Sequence, residues 1–221
     1  MMEFFANIDL AELMTASWET LILTGVSLFF TLLLGLPLGV LLFWSGSRQL
    51  QGHAGLYRVL SLIVNVLRSL PFIILLIVMI PFTVALVGTS IGVEGAIPPL
   101  VVAAVPFFAR LVENVMREVD RGVIEACQAM GARRWQILWL AILPESMPGL
   151  LAAITVTAIS LVGYSAMSGV IGGGGLGDLA VRYGYQRFQT DVMVVTVALL
   201  IVLVQLLQWA GDWAVQRFTR K

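Results

Sequence analysis

Three stretches of this chain run without a charged residue for long enough to cross a bilayer: Leu21 to Trp44 (24 residues), Met147 to Ser168 (22) and Val192 to Gly211 (20). A helix rises about 1.5 Å per residue and the hydrocarbon layer is about 30 Å thick, so about twenty apolar residues form a span. A chain of 221 residues that is 59% hydrophobic and 12% charged carries more apolar surface than one soluble core can hide. The chain belongs in a membrane.

Two weaker stretches remain. Val59 to Pro81 is 23 residues interrupted only by Arg68, with Asn65 and Pro71 nearby. Ala96 to Ala109 supplies only 14 apolar residues before Arg110 and opens on Pro98 and Pro99. The positive-inside rule decides whether this last segment crosses. With five spans and the N-terminus outside, ten basic residues collect on the inner side: Arg48, Arg58, Arg110, Arg117, Arg121, Arg133, Arg134, Arg217, Arg220 and Lys221. Arg182 and Arg187 stay outside. The best four-span arrangement splits them eight to four, so five spans fit better.

The expected fold is therefore an all-α integral membrane protein with five transmembrane helices. An external segment covers residues 1–20, and the spans lie at about 21–44, 59–81, 96–112, 147–168 and 192–211. Residues 212–221 form a cytoplasmic tail anchored by Arg217, Arg220 and Lys221. Glu3, Asp9, Glu12 and Glu19 precede the first span and no basic residue comes before Arg48, so the first span reads as an uncleaved anchor rather than a signal. One cysteine, Cys127, excludes an internal disulfide, and one histidine, His53, leaves no His/Cys cluster for a metal. Gly35, Pro37 and Gly39 predict a bend and close helix contact in the first span. Met130, Met147, Met167 and Met193 read as packing residues.

The longest inner connection holds the most unusual sequence, EACQAMGARRWQILWLAILP, Glu125 to Pro144. Asp120 suits a helix start, Val123 to Met130 has an apolar side, Gly131 is a left-handed stop, and Arg133 to Leu143 resumes the helical period. Pro144, Glu145 and Pro148 are expected to end this second helix and begin the fourth span. One reading is an amphipathic helix pair on the membrane surface, with Trp135 and Trp139 at the headgroups and Arg133 and Arg134 on anionic lipid. The other comes from the spacing of Glu125, Ala126, Gly131, Leu143 and Pro144. It resembles the coupling motif of ABC importer permeases, a bent helix pair that fits a cleft on a cytoplasmic ATPase. Cys127 stands where a second alanine is usual, and Ala141 where an isoleucine is usual.

A wider resemblance runs through LRSLPFIILLIVMIPFT, VGTSIG, PFFARLVENV and LVGYSAMSGVIGGGGLGDLA. These stretches are similar to the permease subunits of methionine importers, compact five-span type I members of the binding-protein-dependent transport permease family. The resemblance implies coupling helices at about 121–143 between spans three and four. It also implies a second copy of the chain, two ATP-binding subunits on the cytoplasmic side, an extracytoplasmic methionine-binding lipoprotein and surrounding lipid as partners, with no nucleic acid. The cargo it implies is D- and L-methionine, carried inward across the cytoplasmic (inner) membrane. Nothing in hydropathy or charge says methionine, and another amino acid in the same importer class remains open.

The glycine-rich Gly169 to Ala180 lacks the Gly-Lys-Ser/Thr ending of a phosphate-cradling loop and follows no parallel strand. No cofactor is expected in this chain, and ATP and magnesium belong to the partner ATPase. The glycine stretch reads either as a flexible external connection or as irregular backbone lining a cavity. Asp178 near its end, and Arg182, Tyr183 and Arg187 just beyond it, are expected to face the binding protein. Within the membrane, Arg68 stands nine positions past Val59, and Pro71 should disturb its helix and free a carbonyl. It either pairs with backbone or Glu113, or lies beside the path. Asn65, Arg68, Ser69, Tyr164, Ser165 and Met167 are expected to line that path at the dimer axis.

Two other classes stay in view. An intramembrane serine protease would use Ser165 in GYSA, with His53 as its base; the two fall on opposite sides of the membrane, beyond the reach general-base chemistry needs. A secondary transporter driven by an ion gradient usually shows internal repeats and midplane acids; the sequence has no repeat and no carboxylate inside an uncharged span.

Overall fold

The computed structural model describes residues 9–47 and 52–219, and Glu3, Arg48, Arg220 and Lys221 from the charge count lie outside them. Every regular element among the described residues is helical. In chain order these are α1 (Leu10–Gly46), α2 (Ala54–Ser69), α3 (Phe72–Val78), α4 (Ile80–Val87), α5 (Gly92–Arg117), α6 (Arg121–Ala129), α7 (Arg134–Ile137), α8 (Leu143–Glu145), α9 (Met147–Ser168), α10 (Gly175–Leu179) and α11 (Thr190–Phe218). Wider π-helical turns occupy Leu138–Ile142 and Ala180–Tyr185, and a 3₁₀ turn occupies Gly169–Ile171.

Four helical runs are long and apolar enough to cross a membrane: α1, α5, α9 with its extension to Ile171, and α11. The pair α2 and α3 meets the same test only together, and it is bent by 100°. The single helix expected at 59–81 is thus corrected to two helices meeting at a sharp bend. Leu70 sits before proline, where the ring disfavours helical backbone, and it adopts φ −78°, ψ 128°. The chain restarts in α3 and then α4, which ends on Gly88 at φ 83°.

Other bounds also move. The segment expected as a separate 1–20 piece is, from Leu10 on, the start of α1, capped where the Asp9 carboxylate accepts from the Ala11 N–H at 2.9 Å. At 37 residues α1 is about 55 Å long, well beyond one membrane thickness. The weak segment at 96–112 is a 26-residue helix with Pro98, Pro99 and Pro106 inside it. Proline is tolerated in membrane helices because neighbours satisfy the freed carbonyls. The expected fourth span, Met147–Ser168, has the expected limits, whereas α11 outruns 192–211 at both ends.

Lipid is as apolar as leucine, so helices in it associate through close packing of small residues. α1 and α5 lie parallel and touch through Gly35 and Gly39. A Cβ on Gly39 would stand 2.6 Å from Val112 Cβ and 2.7 Å from the Ala109 carbonyl oxygen. This is the close contact those glycines predicted. α9 runs the opposite way, with Gly149 against Val115, and α11 returns with Gly211 pressed on Thr155. One end of the bundle holds the start of α1, the glycine-rich segment and α10; the other holds Gly46, Arg117 and the α6–α8 element. The outer faces of α2, α3 and α4 remain apolar and exposed from Leu56 to Val87.

Candidate functional site

The bent element begins where the Asp120 carboxylate accepts from the Gly122 N–H at 2.6 Å. It turns at Gly131, whose φ is 78°. Around that glycine the Ala132 N–H donates to the Cys127 carbonyl at 3.0 Å and the Gly131 N–H to the Gln128 carbonyl at 2.9 Å. Together these two bonds make a Schellman stop, which requires a left-handed residue at its centre. The chain re-enters a helix with the Gln136 side-chain oxygen accepting from the Arg133 N–H at 2.8 Å.

The element is two-faced. Ile124, Ile137, Leu138 and Ile142 are buried among Phe108, Val112, Met116 and Leu150. Glu125, Ala126, Gly131, Trp135, Trp139 and Pro144 are exposed on the other side, with Leu143 half-buried between the faces. As expected, the helical turn that carries Pro144 closes at Glu145, and the next span starts at Met147 with Pro148 in its first turn. The backbone stays in the right-handed region through Leu138, Ile142 and Leu143, and only Ser146, at ψ −10°, interrupts it before α9. The π turn at Leu138–Ile142 makes room for Pro144, because a wider turn relieves the clash of its ring with the preceding carbonyl.

Above this element lies a buried ion cluster that sequence reasoning did not assign. Glu113 is 1% exposed; its Oε2 accepts from Arg110 Nη1 and its Oε1 from Arg117 Nη2, both at 2.6 Å. Arg110 also donates to Ser61 Oγ and Asn65 Oδ1, each at 2.9 Å, which ties α2 to α5. Arg117 lies over the Tyr57 ring. The spacing of Arg110, Glu113 and Arg117 at three and four residues was the available signal.

The six residues expected on the path are only partly brought together. Arg68 and Tyr164 line one cavity of about 300 Å³ with Leu67, Pro71, Phe72 and Phe107. Tyr164 and Phe72 stack with centroids 4.8 Å apart. Arg68 does not pair with Glu113, which the two other arginines occupy, and the helix break is answered instead by Ser69 Oγ donating to the Asn65 carbonyl at 2.8 Å. Asn65 turns to Arg110. Ser165 is buried, its Oγ donating to the Val162 carbonyl at 2.8 Å, and Met167 is exposed. His53 precedes α2 near the Gly46 end, so Ser165 and His53 form no catalytic pair.

At the opposite end, Asp178, Arg182, Tyr183 and Arg187 do gather. Arg182 contacts Asp178 at 3.1 Å and Glu12 of α1 at 3.2 Å, and both Arg182 and Arg187 lie over the Tyr183 ring. The adjoining glycine-rich segment is closely built rather than loose. The N–H of Gly175 donates to Glu19 Oε2 at 2.7 Å and that of Leu176 to Thr20 Oγ1 at 2.8 Å. Gly172, Gly174 and Gly175 have positive φ.

A bundle of long apolar helices with a sharply bent helix pair beside it and a bent, two-faced element at one end is the architecture of a transport permease. The chain matches the model of the binding-protein-dependent transport system inner membrane component over residues 35–220, and it belongs to that family. The probable D-methionine transport system permease protein of Vibrio cholerae is 46% identical over 214 residues, 97% of this chain and 94% of the relative. The methionine import system permease protein of Bacillus subtilis is 46% identical over 210 residues, 95% of each chain. Among solved structures, an inward-facing methionine ABC transporter contains a chain that superposes with a TM-score of 0.92 at 52% identity, covering 95% of this chain and 97% of that one. An amino acid ABC transporter solved with histidines shares the fold at a TM-score of 0.78 and 20% identity.

Proposed function

We propose that this chain is the membrane-spanning permease subunit of an ATP-driven importer that carries D- and L-methionine inward across the cytoplasmic membrane. The identity to methionine permeases over nearly the whole chain supports the cargo. The exposed face of the bent element carries the mechanism: Glu125, Ala126, Gly131, Leu143 and Pro144 dock on a separate ATPase. The assembly has two permeases and two ATPases, with ATP and magnesium held by the latter. The N-terminus lies outside, the C-terminus and residues 121–143 lie in the cytoplasm, and the Asp178, Arg182, Tyr183 and Arg187 cluster meets the methionine-binding lipoprotein.

In this reading the chain performs no chemistry. Closure of the ATPase pair draws two bent elements together, tilts the spans and opens the axial path outward; hydrolysis resets it. Each ATPase docks against a surface whose reverse side is packed into the bundle, so displacement of the element moves α5 and α9 with it. The test is extraction in mild detergent from cells co-expressing the candidate ATPase, followed by native mass measurement and methionine uptake in proteoliposomes. The proposal requires a complex of two permeases and two ATPases with ATP-dependent uptake. A lone permease, or uptake that survives ATP depletion and collapses with an ionophore, refutes it in favour of a gradient-driven carrier.

A further inference from the structure

The guanidinium of Arg68 stands 14 residues into α2, about 21 Å along the helix from Ala54. A cation at such depth costs at least about 2.5 kcal/mol unless something answers it. The arginines of α5 are answered by Glu113, whereas Arg68 has no ion pair among the described residues. It faces instead the cavity of about 300 Å³ whose other walls are Leu67, Phe72, Leu75, Phe107 and Tyr164. That volume is at the lower end of small-molecule sites. The lining has one cation, one phenol and otherwise apolar or aromatic surface. It fits a small ligand with an anionic end and an apolar body.

Resting on the importer reading above, we infer that this cavity is a transient subsite for the cargo inside the permease. Arg68 takes the amino acid's carboxylate, and the Phe72, Tyr164 and Phe107 rings take its side chain. Two further observations support this. The helix breaks at Leu70 and Pro71, beside Arg68, and broken helices are where membrane proteins meet polar ligand groups. Aromatic rings also attract a polarizable thioether. No carboxylate lines the cavity, so the ligand's ammonium meets no fixed counter-charge. Binding is therefore weak, as a site that must also release its occupant requires.

The test uses the assembled importer with Phe107→Cys as a reporter in a Cys127→Ala background, Cys127 being the chain's single cysteine. Alkylation of the reporter is timed with methionine and with methioninol, which lacks the carboxylate. Methionine is expected to slow the reaction several-fold and methioninol not to. Arg68→Gln should abolish that difference, through loss of roughly tenfold in affinity for one charge-assisted bond, and Arg68→Lys should keep part of it. Equal protection by both compounds, protection by neither, or an unchanged preference in Arg68→Gln overturns the subsite. Uptake by the unmodified importer is measured alongside. Its absence there would sink the importer reading, whereas normal uptake with no protection sinks only the subsite.

Discussion

Arg110 and Glu113, one turn apart on α5, are joined at 2.6 Å with the carboxylate almost wholly buried. The same carboxylate holds Arg117, and the same arginine holds Ser61 and Asn65 of α2. Breaking a buried pair from one side leaves an uncompensated charge, which costs about 3–5 kcal/mol. Glu113→Ala should therefore destabilise the detergent-extracted complex strongly, read as an earlier thermal transition. Arg110→Ala should in addition free α2, seen as faster proteolysis near its start. A transition unmoved in both variants would mean that the cluster contributes nothing to the fold.

Gly131 has open space around its Cα, so a side chain there meets no neighbour and pays only for its backbone angle. The strain of a β-branched residue at φ 78° is about 1–3 kcal/mol. Gly131→Val is expected to leave the spans folded, shift the bent element, and lower both ATPase retention on a sizing column and uptake. A variant that keeps its ATPase and transports at the normal rate argues against docking through this bend.

The glycines of α1 should behave oppositely to each other. Gly39→Leu drives a side chain into Val112 and the Ala109 carbonyl and should separate α1 from α5, at about 1–3 kcal/mol for overpacking or more. Gly25 has nothing within 4 Å of an added Cβ, so Gly25→Ala should be neutral or slightly stabilising. Thermal scans of the two variants side by side make the comparison; equal behaviour would discount the α1–α5 contact.

At the other end, Arg182→Glu places a third acid beside Glu12 and Asp178. Half-exposed pairs of this kind contribute little to stability, about 0–1 kcal/mol. Folding should hardly change, while stimulation of ATP hydrolysis by the binding protein should fall several-fold and recover with Asp178→Arg added. Loss of basal hydrolysis as well would point to damage elsewhere.

Much of this was legible in the residues. Uncharged runs locate α1, α9 and α11 because lipid leaves a helix few other options, and Met147–Ser168 matches to the residue. Gly131 and Asp120 announce their own geometry, since a left-handed stop and a cap depend on neighbours in sequence. What escaped depends on distant partners. Pro71 marks a break, but a bend of 100° is set by how α3 packs on α5 and α9. Pro144 announces the helix end at Glu145, but the π turn that makes room for its ring has no signal of its own. Charge alone offered Glu113 as one of the possible partners of Arg68, whereas Arg110 and Arg117 reach that carboxylate from its own helix. The glycine-rich segment looks flexible in one dimension and becomes ordered only when Glu19 and Thr20 arrive from more than 150 residues away.

The wide turn at Leu138–Ile142 and the interruption at Ser146 divide the path from the exposed face to α9 into short pieces. A jointed rod passes on displacement more readily than torsion. A push at Trp135 and Trp139 would therefore reach α9 as a shift of its Met147 end, where Gly149 is pressed against Val115 of α5.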